Sequence, residues 1–392
     1  MSNPFMFEKP LGMNDTLPPL FNRTRDIEEA IDREVRLWGY NMLHTPALEY
    51  YETVGAASAI HDAKLFKLLD KEGRTLVLRP DMTAPIARVA SSGLQEMPFP
   101  LRLSYNTYLY RAQVNEGGRP AEFQQYGVEL IGDRTMNADG EAMALMASSL
   151  KRTGLDDFRI AFGHIGFMNA LFKEIVGQGQ GVAELKQYLF EKNYVGFKHR
   201  VEQLSISSLE KNRLLQLLSL RGGLEVLDTA KTLVTSPEAL RSLEEIKDVW
   251  HVLESYGVSE YMNIDLNLVM HIDYYTGVVF ESYAFDLGFP LGSGGRYDEL
   301  LPKFGREASA TGFGLRLDRL VEALDHVDPP TSEKTTLILF SKERQQEAFQ
   351  QAQSLRKTGQ RVVLQNVAGV MDLDQFTSQY ADTLQLIGGR SS

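Results

Sequence analysis

The chain of 392 residues is long enough for two or three domains, and its 43% apolar and 24% charged residues are typical of a globular protein with a sizeable core. The net charge of −11 argues against a surface that binds nucleic acid throughout, although it leaves room for a local basic patch. Cysteine is absent, which excludes disulfides, thiolate nucleophiles and cysteine-based zinc sites.

The sequence shows neither a membrane span nor an export signal. No run of about 18 consecutive apolar residues occurs, and residues 1–10 lack the apolar stretch of a secretory signal. We therefore expect a soluble, cytoplasmic protein with no membrane association.

The first part of the chain is predicted to begin with a helix and to continue mainly as strands. Apolar residues recur with helical spacing over 20–38. Two long segments, 101–110 and 123–131, flank a loop with two adjacent glycines, which predicts an antiparallel hairpin. The other elements predicted here are a strand over 75–78, a helix over 139–152 and a strand over 157–163.

Residues from about 166 to 262 have a different character, because leucine-rich helical patterns dominate and strand signals are few. This segment is predicted to be a helical insertion between two sheet-forming blocks. Its predicted helices cover 182–190, 209–220, 224–233 and 239–256. The elements predicted after it are strands over 264–270 and 277–284, a flexible turn at Gly292, Gly294 and Gly295, and a helix over 312–324.

A separate small domain is predicted at the carboxyl end. The Pro-Pro-Thr-Ser segment at 329–332 has the composition of a linker, so we divide the chain into a core domain over 1–328 and a small α/β domain over 331–392. Strands over 337–340, 361–365 and 384–387 and a helix over 343–358 are predicted in the small domain. Its seven Lys and Arg residues against six Asp and Glu show no basic stripe for an RNA backbone.

Several common catalytic motifs are absent from the sequence. No phosphate-binding G-x-x-x-x-G-K-[ST] loop and no G-x-S-x-G nucleophile motif occurs. The seven histidines show no spacing typical of metal ligands. We therefore expect no metal site and no bound cofactor.

Eight short segments carry the most information about function. They are G-M-N-D-T-L-P at 12–18, P-A-L-E at 46–49, L-R-P-D-M-T-A at 78–84, Y-R at 110–111, E-F-Q-Q-Y-G-V-E at 122–129, L-V-M-H-I-D-Y-Y at 268–275, G-G-R-Y-D at 294–298 and G-F-G-L-R-L-D-R-L at 312–320. Each is weak evidence alone, but the ordered series resembles the class II histidyl-tRNA synthetases up to about residue 325. The resemblance implies an α+β fold, with an antiparallel sheet flanked by helices, a helical insertion, and a homodimer built on the first helix and the strand at Pro46.

The positions that match the amino-acid pocket of this family are retained. Adenylation brings a carboxylate to the α-phosphate of ATP, so such a pocket needs cations, acceptors for an ammonium group and polar partners for an imidazole. The resemblance assigns the ammonium group to Asp81, where the family has Glu, and to Thr83, and it assigns the carboxylate to Arg111. The other matching positions are Gln125 and Glu129, as ammonium and pocket contacts, and Tyr274, Tyr275 and Tyr297 around the imidazole. Outside this context the tyrosines are more typical of core aromatics, and the acids of ordinary ion pairs.

The positions that serve ATP have changed. Met270 replaces the arginine that faces the α-phosphate in the synthetases, and loss of one such donor costs on the order of 10²–10³ in rate. His271 replaces a neighbouring glycine, and Gln113 replaces a glutamate of the hairpin. Arg316 replaces a further glycine, so we expect its side chain to crowd the floor of the ATP site. The positions retained from the nucleotide site are Arg119, Phe123, which matches the adenine-stacking residue, and Arg319.

A chain that keeps the amino-acid pocket but lacks the catalytic cation and a full RNA-reading domain resembles the regulatory subunits of ATP phosphoribosyltransferase. That resemblance implies a non-catalytic homodimer within a hetero-oligomer that also contains the short-form catalytic subunit of the first step of histidine biosynthesis. It further implies L-histidine as a feedback effector and no tRNA partner. Two alternatives stay open: an active histidyl-tRNA synthetase, and a free-standing sensor of histidine or tRNA.

Overall fold

A computed structural model describes residues 7–112, 120–177, 179–270, 274–285, 287–327 and 335–388. The chain divides into two compact units, Met1–Pro329 and Pro330–Ser392. Among the described residues, no helix is both long and apolar enough to cross a membrane.

The first unit contains ten α-helices and twelve strands within its described residues. The helices are α1 (Pro18–Leu37), α2 (Thr83–Ser91), α3 (Met136–Arg152), α4 (Ile165–Ile175), α5 (Gln180–Phe190), α6 (Tyr194–Gln203), α7 (Ser208–Leu217), α8 (Glu225–Thr232), α9 (Pro237–Ser255) and α10 (Leu317–Val327). The strands are β1 (Asn41–Met42), β2 (Leu48–Tyr50), β3 (Lys67–Leu69), β4 (Thr75–Leu78), β5 (Leu101–Tyr110), β6 (Glu122–Ile131), β7 (Phe158–His164), β8 (Arg221–Gly222), β9 (Met262–Asp265), β10 (Val278–Ala284), β11 (Gly292–Arg296) and β12 (Ala310–Arg316).

A nine-stranded sheet forms the centre of this unit, in the order β1-β5-β6-β12-β11-β10-β7-β9-β8. Its middle strands, from β5 to β7 in that order, pair antiparallel with their neighbours. The β1–β5 and β7–β9 pairs are parallel. The predicted hairpin is confirmed, because β5 and β6 pair antiparallel over their full ten-residue lengths. A second, smaller antiparallel sheet has the order β2-β4-β3.

The main hydrophobic core lies between one face of the large sheet and a helical layer. Alternate strand residues such as Tyr126, Val128 and Phe280 are fully buried against apolar side chains of α1, α3, α4, α9 and α10. Successive strand side chains point to opposite faces, so the intervening residues of the same strands belong to the other face. A smaller cluster, which includes Met82, just before α2, and Ile86 of α2, covers part of that second face.

Helices α4 to α9 lie between residues 165 and 255, where the sequence predicts a helical insertion. Four of them, α4, α6, α7 and α9, begin with side-chain caps that satisfy free backbone N–H groups. Ser207 forms a reciprocal capping box with Glu210 at the start of α7, and Ser236 caps α9, whose first residue is Pro237. Local sequence therefore accounts for the starts of these helices.

Three element predictions in the first unit are wrong in part or in whole. Residues 292–295, predicted as a flexible turn, lie in β11, and residues 312–316, predicted as the start of a helix, lie in β12. The helix begins only at Leu317. A Cβ at Gly294 would overlap the backbone oxygen of Gly312, so these glycines permit close approach of neighbouring strands rather than a turn. The strand predicted over 264–270 ends at Asp265.

The second unit is a small α/β domain. Its strands β13 (Thr335–Phe340), β14 (Arg361–Asn366) and β15 (Asp382–Leu386) form a parallel sheet in the order β14-β13-β15, connected by helices α11 (Gln345–Lys357) and α12 (Leu373–Thr377). The core consists of small and branched apolar side chains, including Ile338, Ala348 and Leu386. This is the alternation of strands and helices that the sequence predicts.

Candidate functional site

The second face of the large sheet carries a row of polar side chains across neighbouring strands. Gln125 and Glu129 are four residues apart on β6 and therefore share this face. The strand register places Glu129 opposite Gly312 and Gln125 opposite Arg316 of β12. The alternation of side chains along β6 and its register with β12 therefore place these polar side chains close together on one face of the sheet.

Glycines of β12 provide the space above the sheet. A Cβ at Gly312 would overlap the Glu129 carboxyl group, and a Cβ at Gly314 would overlap the Gln125 amide. Any larger residue at either position would displace a polar side chain from this face. The glycine pattern of the segment at 312–320 is thus a requirement of the site.

A cavity of about 130 Å³ lies over this face. All eight residues that the sequence assigns to an amino-acid pocket line it: Asp81, Thr83, Arg111, Gln125, Glu129, Tyr274, Tyr275 and Tyr297. The structure therefore brings together side chains that are up to 216 positions apart in the sequence. Arg316, Arg319 and Phe123 also line the cavity.

Two buried acids form one part of the cavity wall. Asp81 is 7% exposed and Glu129 is 3% exposed. Asp81 lies just before α2, where it accepts a hydrogen bond from the backbone N–H of Ala84 (3.2 Å) and another from the hydroxyl of Ser58. Thr83, which the resemblance assigns to the ligand ammonium group, donates its hydroxyl to Glu129 Oε1 (3.1 Å).

Glu129 is held in a neutral, hydrogen-bonded environment. Tyr297 donates its hydroxyl to Glu129 Oε2 at 2.5 Å. Burial raises the pKa of Glu129 to about 8, although the hydrogen bonds from Tyr297 and Thr83 act in the opposite direction. The Glu129 carboxyl group therefore keeps its proton at neutral pH when no cation lies beside it.

Three tyrosines pack edge to face beside these acids. The ring centroid of Tyr274 lies 5.2 Å from that of Tyr275 and 5.6 Å from that of Tyr297, with interplanar angles of 70° and 62°. Burial raises the pKa of all three hydroxyls above the usual value of a tyrosine. Neutral hydroxyl groups can both donate and accept hydrogen bonds, as an imidazole requires of its partners.

Arginines form another part of the wall. Arg111 donates Nε to the backbone oxygen of Pro80 (2.9 Å), and its guanidinium carbon lies 5.2 Å from the centroid of the Phe123 ring. Burial lowers the pKa of Arg111, the charge of Arg316 acts in the same direction, and Asp81 opposes both. The cavity thus has acidic groups and guanidinium groups on its lining, which suits a zwitterion.

Arg316 lies over the ring of Phe123, which matches the adenine-stacking residue of the synthetases. Its guanidinium carbon is 3.6 Å from the centroid of the Phe123 ring. Asp318 holds it with two hydrogen bonds, of 2.9 Å from Nε and 2.6 Å from Nη2. Arg319 donates to the backbone oxygen of Pro290, and its guanidinium carbon lies 5.0 Å from the Phe289 centroid.

Of the remaining changed positions, the structure describes only Met270. Met270 is half-buried and is not among the residues that line the cavity. Gln113 and His271 lie outside the described residues. Across the described part of the chain, no group of three or more His, Asp or Glu side chains is arranged as a metal site.

The sequence does not predict two hydrogen-bond donors to the candidate site residues. Ser58, the hydroxyl donor to Asp81, carries no signal in the sequence. Tyr105 donates its hydroxyl to Gln125 Oε1 at 2.7 Å and lines the cavity. Its position could have been found, because it lies six residues before Arg111 and directly opposite Gly127 in the predicted hairpin.

The fold is that of the histidyl-tRNA synthetase class. The histidyl-tRNA synthetase family model matches residues 12–320, and a model described as the C-terminal domain of histidyl-tRNA synthetase HisZ matches residues 337–388. The crystal structure of a histidyl-tRNA synthetase from Nostoc sp. PCC 7120 superposes with a TM-score of 0.80 over 95% of this chain and 88% of that one, at 20% identity. That similarity concerns the fold alone.

A more specific relationship is found at higher identity. The ATP phosphoribosyltransferase regulatory subunit of Halalkalibacterium halodurans is 54% identical over 99% of this chain and 98% of its own length. A crystal structure of an ATP phosphoribosyltransferase regulatory subunit/histidyl-tRNA synthetase from Bacillus halodurans is also 54% identical, with a TM-score of 0.91 over 98% of this chain and all of that one. The chain belongs to the family of ATP phosphoribosyltransferase regulatory subunits. The family and the fold predicted from the sequence are confirmed.

Proposed function

We propose that this chain is a non-catalytic subunit that activates a short-form ATP phosphoribosyltransferase and inhibits it when L-histidine occupies the cavity. The observation that carries the proposal is a cavity whose wall brings the buried acids Asp81 and Glu129 together with Arg111. Family membership supports the regulatory role, because the relatives named above are regulatory subunits.

The lining offers a partner for each polar group of histidine. Asp81 supplies a buried carboxylate to the α-ammonium group, with the Gln125 amide beside it. Arg111 supplies a guanidinium to the carboxylate, a pairing with favourable bidentate geometry. The tyrosine hydroxyls and the Glu129 carboxyl group supply donors and acceptors for the imidazole.

Regulation then follows from differential affinity. A ligand can shift the equilibrium between an active and an inhibited assembly only by the ratio of its affinities for the two states. Histidine must therefore bind this subunit more tightly in the inhibited assembly than in the active one. Reciprocally, conditions that favour the active assembly weaken histidine binding.

An active histidyl-tRNA synthetase is the alternative that the structure makes less favourable. The position of the α-phosphate arginine is Met270, which carries no charge. Arg316 covers the aromatic ring that matches the adenine platform. The second unit is a three-stranded domain without the basic stripe of an RNA reader.

The assembly that we propose is a homodimer of this chain within a hetero-oligomer in the cytoplasm. Large apolar side chains are exposed on α1, where Leu20 is 45% and Phe21 is 49% exposed. Leu48 and Tyr50 of β2 are 44% and 43% exposed. Exposed apolar residues on neighbouring sequence elements are what a subunit interface requires, and these are the elements that the resemblance assigns to it.

The direct test is calorimetric titration of L-histidine into the purified chain and into its complex with a short-form catalytic subunit. We expect saturable binding that Asp81→Asn weakens by roughly 10- to 150-fold, since a hydrogen bond to a charged group contributes about 1.5–3 kcal/mol. Asp228→Asn, a change of an exposed aspartate on α8, serves as the matched control. No binding to either preparation would contradict the proposal, and histidine-dependent ATP–pyrophosphate exchange at a synthetase-like rate would favour the alternative.

A further inference from the structure

Phe123 and Arg316 together form a closed stack on the wall of the cavity. The Phe123 ring is 4% exposed, so little of its surface is open to a ligand. The guanidinium carbon of Arg316 lies 3.6 Å from the ring centroid, which is the distance of direct stacking. Both residues line the same cavity as Asp81 and Glu129.

Asp318 fixes the orientation of the Arg316 guanidinium group in this stack. Asp318 accepts two hydrogen bonds from Arg316, and this bidentate geometry sets the plane of the guanidinium group. Asp318 lies in the first turn of α10, where the helix dipole favours a negative charge. The Arg316 side chain is 13% exposed, so most of its surface contacts protein.

The geometry points to Arg316 as a specificity-determining residue that closes the aromatic platform and restricts the cavity to a free amino acid. A ligand that carries a purine base on its carboxyl end must displace the guanidinium group from Phe123 and from Asp318. A free amino acid needs neither displacement. The inference rests on the proposed function and adds a physical reason why this subunit responds to histidine and rejects an aminoacyl nucleotide.

Charge alone does not provide this discrimination. Arg111, Arg316 and Arg319 all line the cavity and would attract phosphate groups. The cavity therefore still attracts the phosphate groups of a nucleotide, and Arg316 excludes its purine base. Stacking of a base on an aromatic side chain contributes a roughly 5- to 150-fold gain in affinity, which is lost when the ring is covered.

The test compares two probes on the full-length chain by calorimetry: L-histidine and a non-hydrolysable histidyl sulfamoyl-adenosine, which places adenosine on the carboxyl end. For the wild type, we expect histidine to bind more tightly than the adenosine compound. For Arg316→Gly, we expect the ratio of adenosine-compound affinity to histidine affinity to rise by roughly 5- to 150-fold. Arg159→Gly is the matched control, because Arg159 also lies over an aromatic ring, Phe285, on the exposed surface.

Circular dichroism verifies that each variant is folded, and Arg316→Lys provides a second, milder change. Lysine keeps the charge but lacks the planar fork that binds Asp318 and covers the ring, so we expect a smaller rise in the same direction. A ratio that stays at the wild-type value in both variants would overturn the inference. If the wild type binds no histidine, the proposed function fails independently of this inference, and AMP then replaces the adenosine compound as the probe. Tighter binding of AMP to Arg316→Gly than to wild type would support the inference that Arg316 covers the Phe123 ring. Equal binding of AMP to both proteins would overturn it.

Discussion

Replacement of Glu129 by glutamine should remove a pH dependence from the stability of the protein. Burial raises the pKa of the folded Glu129 carboxyl group to about 8, whereas the ordinary pKa of an exposed glutamate is 4.5. Between these values the folded state binds more protons than the unfolded state, so the free energy of unfolding falls as pH rises. Over the range from pH 6 to 8 the Glu129 contribution should decrease by about 2 kcal/mol, since one pKa unit corresponds to about 1.4 kcal/mol.

The assay is urea unfolding of wild type and Glu129→Gln at pH 6, 7 and 8, without histidine. Other titrating groups affect both proteins equally, so the difference between their unfolding free energies isolates Glu129. We expect wild type to lose about 2 kcal/mol relative to the variant across this range. Glu202→Gln, an exposed change on α6, is the control and should leave the pH profile unchanged. A constant difference between wild type and Glu129→Gln would show that the buried carboxyl group is already ionised at pH 6, which would refute the reasoning.

Two further substitutions test buried contacts of the first unit. Asp139→Asn breaks the buried ion pair with Arg296 (2.6 Å) and should lower the free energy of unfolding by about 3–5 kcal/mol. The exposed control Glu29→Gln should change it by less than about 1 kcal/mol. Equal effects of the two substitutions in urea unfolding would contradict a stabilising role of the buried ion pair. Gly312→Ala places a methyl group where the pocket carboxyl group lies, and should destabilise the fold by about 1–3 kcal/mol and weaken histidine binding. Gly93→Ala, which has open space around its Cβ position, should affect neither property; a neutral Gly312→Ala would refute the steric argument.

The long strands and helices of this fold could be predicted from sequence because their periodicity is strong. The hairpin of β5 and β6 and the amphipathic helix α1 are examples. The glycine-rich strands β11 and β12 could not be predicted in this way. Their glycines are selected by strand-to-strand contact and by the space that Glu129 occupies, and local propensity treats the same residues as turn signals.

The candidate site was predictable to the extent that family motifs fix residue identities. All eight pocket positions line one cavity, but their hydrogen-bond partners required the structure. Ser58 on Asp81 is one such case. The stack of Arg316 on Phe123 is another, because the sequence predicts that Arg316 crowds the ATP site but does not predict that its guanidinium group stacks on this ring.

The central claim is that histidine in this cavity controls a catalytic partner. The most direct measurement is ATP phosphoribosyltransferase activity of a reconstituted complex with the short-form catalytic subunit, titrated with L-histidine. We expect wild type and Asp81→Asn to activate the partner equally. The histidine concentration for half-inhibition should be roughly 10- to 150-fold higher with Asp81→Asn. Equal sensitivity of the two complexes to histidine would contradict the claim, because the effector would then act at another site.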